Sequence, residues 1–209
     1  MIAPPERSAE RDAALDALVL RVPTEGWTHT ALRRALADVG GDPQDADLIF
    51  PGGAAELVEA FTDLTDRRMA DAAATPDFAA LRTTARVRAL LVWRLRHNAP
   101  HREAMRRAIA VMTLPRNAAV AARCTARTVD AIWHAAGDQA ADFSWYTKRA
   151  TLAAIYTATL LYWLRDVSDE AAATLAFLDR RLAGIGRIAA ARKRIAKGCA
   201  CWRPLRGAA

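Results

Sequence analysis

The longest apolar pattern in the chain runs from Ala150 to Leu164, fifteen residues without a formal charge. Wound as a helix, it spreads Leu152, Ile155, Tyr156, Leu160, Leu161, Tyr162, Trp163 and Leu164 around the whole circumference. A helix apolar on every side belongs in an interior, and this one falls short of the roughly 20 apolar residues that cross a bilayer. It is expected to be the central helix of a helical domain or the wall of an apolar cavity. Elsewhere the apolar positions recur by threes and fours. They include Leu15, Leu18, Val19 and Val22 over residues 5–22, and Leu32, Leu36 and Val39 before Gly40-Gly41. Leu57, Val58, Phe61, Leu64 and Met69 follow the turn Phe50-Pro51-Gly52-Gly53, and Val87, Leu90, Leu91 and Leu95 mark a helix over residues 77–98. Met105, Ile109 and Met112 come next, then Val129, Ile132 and Trp133 in a helix opened by Pro115. The last helix is expected from Glu170 to at least Lys197 through Leu175, Leu178 and Leu182. Such spacing marks amphipathic helices, and Pro and Gly mark the breaks. No stretch alternates with period two over any length, so the fold class is all-α.

The residues that lead into the apolar helix carry the first sign of chemistry. Trp145, Lys148, Arg149, Leu152 and Tyr156 fall on one helical face by their three- and four-residue spacing. Lys148 and Arg149 occupy the first turn, where the helix dipole disfavours each cation by about 0.3 to 1 kcal/mol. Asp138 and Asp142 stand just upstream to offset them, and Ser144 or Asp142 can cap the exposed amides. Two rings beside two cations is a composition enriched at binding surfaces. A buried Trp with a solvated ion-pair rim accounts for the same residues equally well.

Charge adds a second region. The net charge of +7 is uneven: residues 180–209 hold nine cations and no acid, which leaves −2 for residues 1–179. Ile185, Ile188 and Ile195 give this basic end an apolar side, and Trp202 stands beside Cys199 and Cys201. A charge run of this kind is usually a solvated helix face. With an apolar side and an interfacial aromatic, Arg192, Lys193, Arg194, Lys197 and Trp202 also suit weak, salt-sensitive attachment to an anionic membrane surface. The three cysteines, Cys124, Cys199 and Cys201, are odd in number, with two of them one residue apart, which is not a disulfide framework. The first twenty residues hold neither a signal peptide nor an Arg-rich transit segment, so the chain is expected to stay where it is made.

Catalysis finds little support. His29, His97, His101 and His134 stand in no metal-ligand spacing, Pro100 interrupts the one four-residue pair, and Gly52-Gly53 lacks the Lys-Ser/Thr of a phosphate loop. No catalytic residue, metal or cofactor is expected. Residues 28–61 have the outline of a helix-turn-helix, but the segment from Gly40 to Ile49 carries Asp42, Asp45 and Asp47 and no cation. DNA affinity comes largely from Lys and Arg at phosphates, so nucleic acid is not an expected partner.

The runs Ile132-Trp133-His134-Ala135-Ala136-Gly137-Asp138-Gln139 and Asp142-Phe143-Ser144-Trp145-Tyr146-Thr147-Lys148-Arg149-Ala150, followed by Leu152-Ala153-Ala154-Ile155-Tyr156, resemble the signature of the ubiquinone biosynthesis accessory proteins that assist demethoxyubiquinone hydroxylase. Phe177-Leu178-Asp179-Arg180-Arg181 and Leu48-Ile49-Phe50-Pro51-Gly52-Gly53 extend the likeness over most of the chain. The resemblance implies a tetracycline-repressor-like fold. Its parts would be a helix-turn-helix-like portion over 1–72, a lipid-binding helical bundle over 73–198 and a basic tail over 199–209. It further implies a homodimer without catalytic residues that holds an isoprenoid or quinone lipid and presents it to the hydroxylase. The cavity wall would come from Leu152, Ile155, Tyr156, Leu160 and Trp163, and the partner surface from Trp145 and Tyr146 and more loosely Trp133 and Asp142. With no transit segment seen, a bacterial member is expected, cytoplasmic and peripheral at the inner face of the cytoplasmic membrane.

Overall fold

A computed structural model of the chain describes residues 3–138 and 144–184, all of them in helices, turns or irregular segments. Helix α1 spans Ala9–Glu25, later than the start at residue 5 expected from the apolar spacing, because the Ser8 hydroxyl accepts the Arg11 amide at 3.1 Å and fixes the cap there. Pro23 does not end it: one more turn follows to Gly26, whose φ of 73° reverses the chain. Thr28 caps α2, His29–Asp38, and a 3-10 turn leads to α3, Ala46–Ile49, a single helical turn. Helix α4, Ala54–Ala73, begins at the Phe50-Pro51-Gly52-Gly53 turn, where the Glu56 carboxylate reaches back to the Gly52 amide. A Cβ at Gly52 would lie 2.5 Å from that carboxylate, so a larger residue there would push the Glu56 side chain off the Gly52 amide.

The single helix expected over 77–98 is two, α5 at Pro76–Ala79 and α6 at Thr83–His97. Arg82 is extended at the break, Thr83 and Thr84 supply consecutive β-branched residues, and the Arg86 guanidinium clasps the Phe78 carbonyl at 2.9 Å. Helices α7, Arg102–Met112, α8, Ala118–Ala135, and α9, Ser144–Trp163, complete the larger of two compact units, Met1–Arg165. Its core forms where α4 packs on α8, α1 on α2 and α7, and α8 on α9. The buried Trp27 indole donates to the Ala104 carbonyl at 3.1 Å and leans on Phe61, which ties α7 to the start of the chain.

The second unit begins at Asp166, and its described part is a turn and a helix over 172–184 (α10). Burial pushes the Asp166 carboxyl up, but hydrogen bonds from the amides and hydroxyls of Ser168 and Thr174 outweigh it and hold the group well below the usual carboxylate range. Those four bonds pin the start of α10. Among the described residues no helix is long and apolar enough to cross a membrane.

Candidate functional site

Helix α9 presents two faces, which corrects the expectation that it is buried all round. Leu152, Ile155, Tyr156, Thr159 and Trp163 are buried, whereas Leu161 is 47% exposed and Tyr162 is exposed as well. Its uncharged sequence conceals this division, because Thr, Ala and Tyr tolerate water while adding no charge.

Tyr156, Thr157, Leu160 and Leu161 of α9 border a cavity of about 230 Å³ between α4, α6, α7, α8 and α9. Most of its wall is apolar, including Val58, Met105, Ala108, Ile109, Met112 and Leu160. Its inner end is polar. Arg94, 2% exposed, pairs through Nη1 with the buried Asp66 carboxylate and donates through Nε to the Tyr156 hydroxyl at 3.0 Å. The Thr128 hydroxyl, fully buried, donates to the other Asp66 oxygen at 3.0 Å. Burial lifts the Asp66 carboxyl to about 6, against the pull of Arg94 and Thr128, so at neutral pH the pair is charged. Cys124, also lining the cavity, has its thiol pushed up to about 11 by burial and by nearby Glu59, and is neutral. The lining runs from Thr128 and Arg94 at the buried end to exposed Thr113, Thr157 and Leu161 at the mouth.

A second, shallower hollow of about 570 Å³ lies between α8 and the first turns of α9. It shares Ala121 and Thr125 with the cavity, and Trp145, Asp130 and Arg149 form its far end. Here the Arg149 guanidinium sits 3.8 Å from the centre of the Trp145 ring and also pairs with Asp130. Trp145 meets Tyr146 edge-on at 4.8 Å, and Tyr146 is 68% exposed. Lys148 binds Asp138 at 2.8 Å and lies 5.7 Å from the Trp133 ring. The two cations at the positive end of α9 are thus each offset by an upstream carboxylate, Asp138 as expected and Asp130 in addition.

Of the five expected wall residues, Tyr156 and Leu160 line the cavity. Leu152, Ile155 and Trp163 are not part of that wall: they are buried in packing, with Arg102 over the Trp163 ring at 4.7 Å. Trp133, Trp145 and Tyr146 gather at the start of α9. Asp142 and the basic set Arg192, Lys193, Arg194, Lys197 and Trp202 lie outside the described residues. Sequence reasoning missed Arg94, Asp66 and Thr128. The available signal was Arg94 standing on the stripe of Val87, Leu90 and Leu91, where an apolar residue is expected. At the helix-turn-helix-like end, Asp47 is held below the usual carboxylate range by hydrogen bonds from Arg33 and His29, and Leu48 on the single turn of α3 is 80% exposed.

The comparisons with known proteins converge on this region. The family model described as COQ9 matches residues 118–189, the stretch that carries α8 and α9. Among curated proteins, the chain is 31% identical over 167 residues to the human "Ubiquinone biosynthesis protein COQ9, mitochondrial", covering 77% of this chain and 52% of that one. It is 30% identical over 176 residues to the Schizosaccharomyces pombe protein of the same description, covering 84% of this chain and 69% of that one. The chain spans about half the length of the animal relatives it matches. Among solved structures, the TetR transcriptional regulator from Nitrosomonas europaea ATCC 19718 superposes with a TM-score of 0.67 at 28% identity, over 84% of this chain and 97% of that one. The fold is therefore all-α and tetracycline-repressor-like. The expectation of a cytoplasmic protein at the inner face of a bacterial membrane is corrected, since the curated relatives are mitochondrial. It rested on the first twenty residues lacking a leader, which carries no weight in a chain that spans about half the length of the animal relatives it matches. On the extent of the match to the S. pombe protein and the motif shared through α8 and α9, the chain belongs to the COQ9 family.

Proposed function

We propose that this chain is a non-catalytic, lipid-binding accessory protein of ubiquinone biosynthesis, which holds an isoprenoid or quinone intermediate and presents it to the demethoxyubiquinone hydroxylase. The observation that supports this reading is an apolar cavity that shares the wall residues Ala121 and Thr125 with the hollow that ends at Trp145. A lipid seated in the first lies across a shared wall from half-buried Trp145 and close to exposed Tyr146, where a partner can dock. Burying a tail there gains roughly 25 cal/mol per Å² of apolar surface. The side chains in the cavity suit binding better than reaction: Cys124 is held neutral and Arg94 is tied to Asp66. In this reading the basic run Arg192, Lys193, Arg194 and Lys197, with Trp202, rests on a membrane surface, and the protein acts as a homodimer. Organic extraction of the purified protein followed by mass spectrometry should release prenyl lipid, and extracts no richer than those of a matched non-binding protein would refute it.

The likeness to a transcriptional regulator favours a second reading, a ligand-responsive DNA-binding protein. Against it, the position of a recognition helix is filled by the single turn of α3, and Asp42, Asp45 and Asp47 surround it. Repulsion between those carboxylates and phosphates opposes binding. Retention of specific duplexes in a gel-shift assay at raised salt would reverse this preference.

A further inference from the structure

We infer that the cavity takes its lipid head-inward and selects an uncharged head group bearing a hydrogen-bond-accepting oxygen, such as a ring carbonyl, held jointly by Tyr156 and Arg94. This inference rests on the lipid-binding reading above and adds to it the orientation and the head chemistry.

The first support is an inventory of donors. The Tyr156 hydroxyl spends a lone pair on Arg94 Nε, which leaves its own proton to donate. Arg94 gives Nε to Tyr156 and Nη1 to Asp66, which leaves Nη2. Among the described residues neither the Tyr156 proton nor Arg94 Nη2 has a recorded acceptor, and both side chains are more than nine-tenths buried and line the cavity. Buried donors are rarely left unmatched. A guest oxygen placed between the two would satisfy both.

The second support is charge. Asp66 already neutralises Arg94, so a phosphate or carboxylate head would add an unbalanced negative charge in a desolvated site, which is costly. A carbonyl oxygen needs only donors and brings no charge. The third is size and layout. The volume of about 230 Å³ lies below the roughly 300 to 1,000 Å³ typical of sites that enclose a whole ligand. The polar groups lie at the buried end and the exposed Thr113, Thr157 and Leu161 at the mouth. A long guest therefore sets its head against Arg94 and Tyr156 and passes its tail out beside Leu161.

Three probes of equal chain length test this on the whole chain by equilibrium dialysis: a short-chain prenylated benzoquinone, the matching prenyl hydrocarbon, and the matching prenyl diphosphate. The quinone should bind about tenfold more tightly than the hydrocarbon, the scale of one buried hydrogen bond, and the diphosphate no better than the hydrocarbon. Tyr156→Phe, which keeps the ring, should bring the quinone down to the hydrocarbon's level and leave the hydrocarbon unchanged. Equal binding of quinone and hydrocarbon by the unaltered protein, tightest binding of the diphosphate, or no effect of Tyr156→Phe would overturn the inference while leaving the lipid reading standing. No binding of any probe would sink both. A quinone with a photoreactive group at its tail end checks orientation without any variant. Crosslinks to Leu161 or Tyr162 are expected, and crosslinks to Arg94 or Thr128 would overturn the head-inward orientation.

Discussion

Two clusters in this protein are built from nearly the same parts. At the inner end of the cavity an arginine, an aspartate and a tyrosine meet: Arg94, Asp66 and Tyr156. At the start of α9 an arginine, an aspartate and a tryptophan meet: Arg149, Asp130 and Trp145. The first is buried among α4, α6, α8 and α9 at the inner end of the cavity, and the second is partly open to water. Burial alone separates their roles. In the sealed cluster each charge depends on its partner, because no solvent can replace it. In the open cluster water shares that work, and the exposed Tyr146 ring beside it can meet another molecule.

Breaking the two arginines is the strongest test of this contrast. Arg94→Ala leaves Asp66 alone in the interior and should destabilise the fold by about 3 to 5 kcal/mol in denaturant unfolding, whereas Arg149→Ala should cost about 1 kcal/mol or less. Equal losses would dissolve the distinction. Next in size is a pH effect. The Asp66 carboxyl lies at about 6 in the folded protein, above its ordinary value of 3.8. Between those values the unfolded chain releases a proton that the folded one retains, so this residue's contribution is fullest below pH 3.8 and is lost as pH rises through 6. Unfolding measured from pH 4 to 6.5 should show that decline, and Asp66→Asn should flatten it; an unchanged slope in the variant would assign the decline to other groups.

A smaller effect is expected at the open cluster. Trp145→Ala should weaken binding to the hydroxylase by about 2 kcal/mol, the scale of a tryptophan anchor, with a shift in unfolding of no more than about 1 kcal/mol. Matched losses in binding and folding would make the ring a structural prop. The smallest effect belongs to Lys148→Met. Its pairing with Asp138 and its unfavourable place at the positive helix end nearly cancel, and stability should move by less than about 0.5 kcal/mol.

The α9 side of the open cluster was legible in the sequence, whereas its Asp130, 19 residues away on α8, and the sealed cluster were not, for a physical reason. Trp145, Tyr146, Lys148 and Arg149 are neighbours on one helix, and spacing alone brings them together. Asp66 and Arg94 lie 28 residues apart, and Arg94 and Tyr156 62 apart, so only the packing of α4, α6 and α9 makes them meet. Likewise the uncharged run of α9 was plain, but which of its residues reach the hollow was not, and Leu152, Ile155 and Trp163 are buried without lining it. The break between α5 and α6 was hidden because apolar residues continue across it, while the backbone at Arg82 does not.

The bond from the Trp27 indole to the Ala104 carbonyl has a mechanical corollary. Ala104 immediately precedes Met105, part of the cavity wall, and Trp27 sits two residues before α2. Outward travel of α7 to admit a bulkier guest must either sever this rivet or drag α2 along. Any widening of the hollow would therefore be felt at α2, which contributes no residue to its wall.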